Sequence, residues 1–260
     1  GFNINAGVSH SKNYSIPGLD QLFPIIDSAN LYSFNYGNEF LKPSSSNNFG
    51  FNFAYGRSGN RNKKADINFN LNGNFAAVKA DVADSSFYDT LGRRNIYLIN
   101  IDGRKNWSIG GNFNTSIRLK KNVLQFSYNG SLNNSRSPNY IDDIFSVSRI
   151  QNLNNTVRIY FALGEIVNFS ISQGINMSNS IQTGKNLRSF KNTNYITAAN
   201  INLHYPKDLT LSNTMNYVKN NTTKQSSALW NAFLSYRFFK GKQLEAKFSA
   251  MDILRQNKNI

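Results

Sequence analysis

The sequence predicts an all-β protein, an antiparallel up-and-down transmembrane β-barrel, and three observations carry that expectation. The first is a period-two alternation of apolar and polar residues, repeated in about eleven stretches along the chain. The second is strand length. One phase holds from Trp107 to Leu119, and about 13 residues at ~3.3 Å each reach ~43 Å, where a soluble strand usually holds about 5–6 residues. Tilted by ~45°, such a strand rises ~30 Å, the thickness of a bilayer's hydrocarbon core. The third is the connections: short turns alternate with longer polar segments, so the short ones all fall at one end. A soluble sandwich also alternates. The long strands, and a polar face crowded with Asn, Ser and Gly that suits a hydrated interior, favour the barrel.

Taken in order, Phe2, Ile4, Ala6 and Val8 make the first strand. Leu19, Leu22 and Phe23, ahead of Pro24, have helical spacing and predict a short loop helix. Phe49, Phe51, Phe53 and Tyr55 then alternate with Gly50, Asn52, Ala54 and Gly56, and Ala65, Ile67, Phe69 and Leu71 alternate with Asp66, Asn68, Asn70 and Asn72. After the Trp107–Leu119 strand come Leu124, Phe126, Tyr128 and Leu132. Ile141, Ile144 and Phe145, beyond Pro138, predict a second short loop helix. The later strands are marked by Val157 to Leu163, Val167 to Met177, Tyr195 to Tyr205, Leu209 to Tyr217, Trp230 to Phe238 and Leu244 to Ala250. Tight turns are expected at Arg57–Asn62, Lys120–Asn122, Gly164–Ile166, Pro206–Asp208 and Phe239–Gln243, and long polar loops at 77–106, 134–152, 179–194 and 220–227. Trp107, Tyr195, Tyr205, Tyr217, Trp230, Tyr236 and Phe238 stand near strand ends, as interfacial girdles do.

Composition narrows the function classes. The 260 residues carry 29 Lys and Arg against 14 Asp and Glu, a net charge of +15. Charged residues are only 17% of the chain, so the excess comes from scarce acids and not from a dense basic tail, which argues against a nucleic-acid partner. Mean hydropathy is −0.46, and no apolar run approaches the ~18 residues of a spanning helix. Zero Cys excludes disulfides, thiolate metal sites and cysteine catalysis, and two His make a histidine metal site improbable. The chain opens on Gly1 in mid-pattern, with no initiator Met or secretion signal, and reads as a fragment.

The stretch Ile16-Pro17-Gly18-Leu19-Asp20-Gln21-Leu22-Phe23-Pro24-Ile25-Ile26-Asp27, followed by Tyr36-Gly37-Asn38-Glu39-Phe40-Leu41-Lys42-Pro43 before a strand, resembles a segment of TonB-dependent receptor barrels, closest to the Bacteroidetes-type outer-membrane β-barrel family. Tyr236 to Lys247 and Met251 to Asn257 resemble the same family's penultimate hairpin and following loop. The resemblance implies the C-terminal portion of a 22-stranded barrel in the cell outer membrane, occupying the whole of 1–260. The plug domain, signal peptide and TonB box would lie upstream. It implies binding and uptake of a nutrient ligand, without catalysis, and partners in the bilayer, lipopolysaccharide, a TonB-type energising protein and a surface lipoprotein. The alternative is a non-energised barrel with a structural, export or surface-anchoring role. In such receptors the Tyr36–Pro43 segment lies at the outer rim, which puts the short turns in the periplasm.

Candidate chemistry is sparse. Gly92-Arg93-Arg94 and Gly103-Arg104-Lys105 are basic loop segments beside Tyr88, Tyr97 and Trp107. Tyr88, Arg93, Arg94, Arg104 and Lys105 are therefore the candidate ligand residues, suited to an anionic ligand or a lipopolysaccharide phosphate. Asp142-Asp143 lacks the spaced acids of a calcium loop, and His10 and His204 lie far apart. No nucleophile, metal-catalyst or cofactor motif occurs, so no catalytic residue, metal or cofactor is expected.

Overall fold

Residues directly opposite in an antiparallel ladder point to the same face, so the strand register decides whether the apolar stripes merge into one surface. The computed structural model describes residues 1–23, 26–59, 65–184, 187–204, 208–238 and 244–256. Its strands are β1 (Phe2–Ser15), β2 (Ile26–Asn30), β3 (Ser33–Tyr36), β4 (Ser44–Arg57), β5 (Ala65–Lys79), β6 (Asp81–Tyr88), β7 (Arg94–Ile101), β8 (Arg104–Leu119), β9 (Asn122–Ile141), β10 (Ile144–Leu163), β11 (Val167–Gln182), β12 (Arg188–His204), β13 (Leu209–Asn220), β14 (Ser226–Phe238) and β15 (Leu244–Ala250). Eleven of them form one antiparallel path in the order β1-β4-β5-β8-β9-β10-β11-β12-β13-β14-β15, the number the alternation gives. The sheet is open, because β1 pairs only with β4 and β15 only with β14 among the described residues.

The stripes do merge. One row runs Ile4, Tyr55, Phe69, Phe113, Tyr128, Val157, each opposite the next. The opposite face has rows of amides and hydroxyls interrupted by glycine, such as Asn52, Asn72, Gly110, Ser131, Asn154, Asn176, Asn194 and Asn220. Among the described residues no second layer covers the apolar face. Among the described residues, the buried apolar side chains are Leu41, Ile96, Val147 and Ala162. The accessible surface is 17941 Å², where a soluble monomer of this mass exposes about 11,500 Å². A sandwich would have to bury this face, whereas a barrel wall presents it to lipid. No helix of the described residues is long and apolar enough to cross a membrane, so any crossing is made by strands.

The apolar band also slopes across the register rows. Trp230 on β14 is carried through Met215, Ala199, Ile171, Ile159 and Phe126 to Thr115 on β8, which lies below Trp107 on the same strand. That offset of about eight residues, ~26 Å, accumulates over about six strand spacings, ~29 Å. Placing both tryptophans at one interface therefore requires strands tilted by roughly 40°, within the 35–45° range of barrels. Two polar side chains on the apolar face are paired locally: Tyr128 Oη donates to Asn155 Oδ1 at 2.7 Å, and Trp230 Nε1 donates to Asn213 Oδ1 at 3.2 Å. Each aromatic leaves its polar tip satisfied and its ring toward lipid.

Several of the connections differ from expectation. The segment 134–152 is not a loop and carries no helix at Ile141, Ile144 and Phe145. β9 and β10 are 20 residues each and meet at Asp142-Asp143, both with positive φ (49° and 60°), a two-residue hairpin turn of the type that Asp tolerates. The segment 77–106 holds the β6–β7 hairpin, and much of 179–194 belongs to β11 and β12, whereas 221–225 is a connection, as expected. In β9 to β12 the cause is that beyond the apolar band both faces are wet, so hydrophobic alternation disappears while backbone pairing continues; β7 instead carries an apolar run, Ile96 to Ile99, without alternation. The helix at Leu19–Leu22 is present as one turn, α1, with Gln21 Oε1 accepting from the Gly18 amide at 3.0 Å. Lys120-Lys121 and Gly164 to Ile166 are short turns as expected; 60–62, 206–207 and 239–243 lie outside the described residues.

Of the four buried apolar side chains among the described residues, Ala162 lies beside the Gly164–Ile166 turn, and the other three, Leu41, Ile96 and Val147, lie at the end with the long connections. There β6 runs parallel to β9 at Tyr140 and Ile141, β7 pairs with β6, β3 runs parallel to β7, and β2 pairs with β3. Tyr36, Tyr97 and Phe87 stack on this cap, with centroids 4.4 and 5.8 Å apart, Tyr97 and Phe87 staying exposed on one side. Partial desolvation in the stack, with Tyr36 beside it, pushes the Tyr97 phenol above its ordinary value. The segment before β4 is laced to β7: Asn38 Nδ2 donates to the Leu98 carbonyl (2.8 Å), and Asn100 accepts from the Lys42 amide (2.7 Å) and donates to its carbonyl (3.0 Å). Gly37 is required because a Cβ there would stand 1.7 Å from the Phe23 carbonyl oxygen. Gly37→Ala should therefore break this seam, costing about 1–3 kcal/mol locally. The measurement is proteolysis of intact cells, with cleavage rising in the 16–43 segment while the barrel stays heat-modifiable.

Candidate functional site

The two basic segments occupy different places. Asp89, after β6, accepts from the amides of Leu91 and Arg93 at 2.9 Å each, and from Arg93 Nε at 2.7 Å. The Arg93 amide is the strongest of the influences holding the Asp89 carboxyl below its ordinary value, partial burial opposing it. Arg93 also lies over the Phe34 ring, 5.3 Å from its centroid. Its charge and its Nε–H are spent on the turn, so Arg93 is a strut of the loop. Arg104 is the first residue of β8 and pairs with Asp81 at 3.2 Å. Lys105 has the parity of Trp107 and faces outward, away from Arg104. Arg94 and Arg104–Lys105 are strand residues, not loop residues. β8 is short of apolar signal at this end because, as in β9 to β12, both faces are wet there.

Tyr88 and Arg94 do come together. They line a cavity of about 320 Å³ with Ser86, Ile141, Asp142, Ser146, Gln182, Thr183, Gly184 and Arg188. Three connections meet there: the β6–β7 hairpin, the β9–β10 turn and the β11–β12 segment. The Arg94 amide donates to the Tyr32 carbonyl, fixing the strand, and its guanidinium reaches Asp84 only at 3.9 Å. The wall opposite is locked. Ser146, fully buried, donates to the Thr183 carbonyl and accepts from Gln182 Nε2, while the Val147 and Thr183 backbones exchange hydrogen bonds through the Thr183 hydroxyl and amide, each at 3.0 Å. Within the lining Arg94 and Arg188 stand against one carboxylate, Asp142, with Asp84 3.9 Å from Arg94 as a second; Arg188 has no carboxylate partner among the described residues, and beside a phenol and amide groups it gives the cavity a donor for the anionic group of a small solute. Arg188, Gln182, Thr183 and Ser146 escaped the sequence analysis because the contacts that assemble them span up to about 100 positions and leave no local motif.

Arg104 borders a wider concavity of about 710 Å³ with Asn106, Ser108, Asn133 and Asn152 on the polar face. His10 packs on Phe49 at 4.5 Å, and His204 Nδ1 lies 3.1 Å from Thr210 Oγ1, so both are accounted for by their neighbours. Among the described residues no group of three or more His, Cys, Asp or Glu converges as a metal site would.

No curated protein matches the chain. A model of the Outer membrane protein beta-barrel family matches residues 2–163, from the first residue of β1 to the last of β10, and β11 to β15 continue the same ladder with the same two faces. The lipid-type face, the open meander and the match over more than half of its length agree: this chain belongs to the Outer membrane protein beta-barrel family, and its place is the outer membrane.

Proposed function

We propose that the chain is the C-terminal portion of a TonB-dependent-receptor-like barrel that captures a small anionic nutrient at its outer rim, without catalysing its conversion. The observation that carries this is the packed cap. A passive wall needs only short connections at both ends, but here four extra strands and the long β9–β10 hairpin build a rigid rim around a cavity with Arg94 and Arg188. Long connections face outside in outer-membrane barrels, which sets the cap toward the medium and Lys120-Lys121 toward the periplasm. A TonB-type protein would supply energy through a segment upstream, and a surface lipoprotein would dock on the cap.

Growth of cells on limiting phosphorylated or carboxylated sugars tests the proposal, comparing the intact barrel with Arg94→Gln/Arg188→Gln. The double variant should lower uptake of the anionic substrate by about tenfold or more, as loss of two charge-assisted contacts implies, while surface display is unchanged. Uptake should also collapse with a protonophore. Uptake that ignores the protonophore would replace the energised receptor with a passive barrel, and unchanged growth across the panel would favour a structural or export role.

A further inference from the structure

Beyond the apolar band, toward the cap, the outward face is basic. Lys105, Arg136 and Arg149 share the parity of Trp107, Leu132 and Leu153, and the register sets Lys105 opposite Arg136 and Arg136 opposite Arg149 on three neighbouring strands. Along β9 and β10 the order is apolar residue, then amide (Asn134, Gln151), then cation. As the band slopes down across the sheet the cations follow it: Lys191 lies just beyond Tyr195, and Lys219 is the next outward position after Tyr217. No Asp or Glu occupies an outward strand position at this boundary among the described residues.

Like charges set directly opposite one another destabilise a sheet. Of the other arginines near the rim, Arg93, Arg94 and Arg104 have carboxylate partners, while Arg188 lines the cavity on the inner side; Lys105, Arg136 and Arg149, on the outward face, have none among the described residues. Arg136 is nonetheless held in place, its guanidinium donating to the Gly103 carbonyl, while Lys105 and Arg149 are exposed. A fixed cationic row without counter-charge is matched by a row of anions. It sits one to two outward positions beyond the apolar band, at the depth where lipid head groups begin.

We infer that Lys105, Arg136 and Arg149 bind phosphate groups of outer-leaflet lipid, with Lys191 and Lys219 extending the belt. The inference rests on the outward face meeting lipid and on the cap facing outside, and is independent of what the cavity takes up.

The test uses the intact barrel in phosphatidylcholine vesicles containing either bisphosphorylated lipid A or the same lipid dephosphorylated, with lipid retained after mild detergent extraction counted by native mass spectrometry. The wild type should retain the phosphorylated form at least about tenfold better. Lys105→Gln/Arg136→Gln/Arg149→Gln should lose that preference, and Lys120→Gln/Lys121→Gln/Lys247→Gln, removing equal charge elsewhere, should keep it. If the first triple variant fails to fold, Lys105→Gln/Arg149→Gln, which leaves the Arg136–Gly103 contact, gives the same reading. Equal retention by variant and wild type would overturn the inference, as would displacement by low-millimolar inorganic phosphate, which would mark a solute site. Failure here leaves the uptake proposal standing, since that depends on Arg94 and Arg188.

Discussion

Phe126→Arg and Ile201→Arg should each damage assembly of the barrel, lowering the folded, heat-modifiable fraction well below that of the wild type. Both residues lie within the apolar band, Phe126 opposite Thr115 and Ile159, and Ile201 opposite Phe169 and Asn213. A cation on the lipid face costs about 2–4 kcal/mol near the midplane, falling toward the interfaces, a large share of a domain's ~5–15 kcal/mol. Ile201 is 46% exposed. In water a residue that open accepts arginine at little cost, so the substitution separates lipid from solvent as its surroundings. Asn112→Arg and Asn202→Arg are the matched controls on the polar face. Asn112 lies between Asn70 and Asn129, and Asn202 accepts from Ser212 Oγ at 2.5 Å, so the second loses one hydrogen bond, about 1 kcal/mol. Heat-modifiability in the outer-membrane fraction is the measurement. Damage from the controls equal to or above that from the apolar sites would show the faces reversed.

The wall was legible in the sequence because lipid on one side and water on the other impose opposite requirements on neighbouring residues. Phe49, Phe51, Phe53 and Tyr55 against Gly50, Asn52, Ala54 and Gly56 record that directly. The cap was not legible, because Ser135, Arg136, Ser137 and Pro138 stand in a strand whose two faces are both wet, and period two then has no contrast to show. The same loss hid the face of Arg136 and Arg149, which parity assigns only once 134–152 is known to be strand. Of the candidate residues, Tyr88 and Arg94 share a cavity, whereas Arg93, Arg104 and Lys105 have three separate environments. Neighbours in sequence at Arg104-Lys105 point to opposite sides of the sheet, as every strand dictates.

The 260 residues refolded alone in detergent or vesicles should aggregate or stay protease-sensitive, and this is the largest effect expected. Among the described residues β1 presents an unpaired edge, and so does β15. Alternate residues of an edge strand point both N–H and C=O outward, which leaves about ten such groups on the part of β1 from Phe2 to His10 that crosses the apolar band. Each costs several kcal/mol in hydrocarbon, and the sum exceeds the ~5–15 kcal/mol that any domain of this size has in reserve. The wall therefore requires further strands on both sides, or a closure between β1 and β15 that the open register does not contain. Ile4→Cys/Phe248→Cys distinguishes the two. A heat-modifiable monomer that forms the 4–248 disulfide on oxidation would mean that the eleven strands close into a small barrel of their own. Aggregation of the isolated chain, together with free thiols at both positions in the outer membrane, is the result expected of a wall that is part of a larger one.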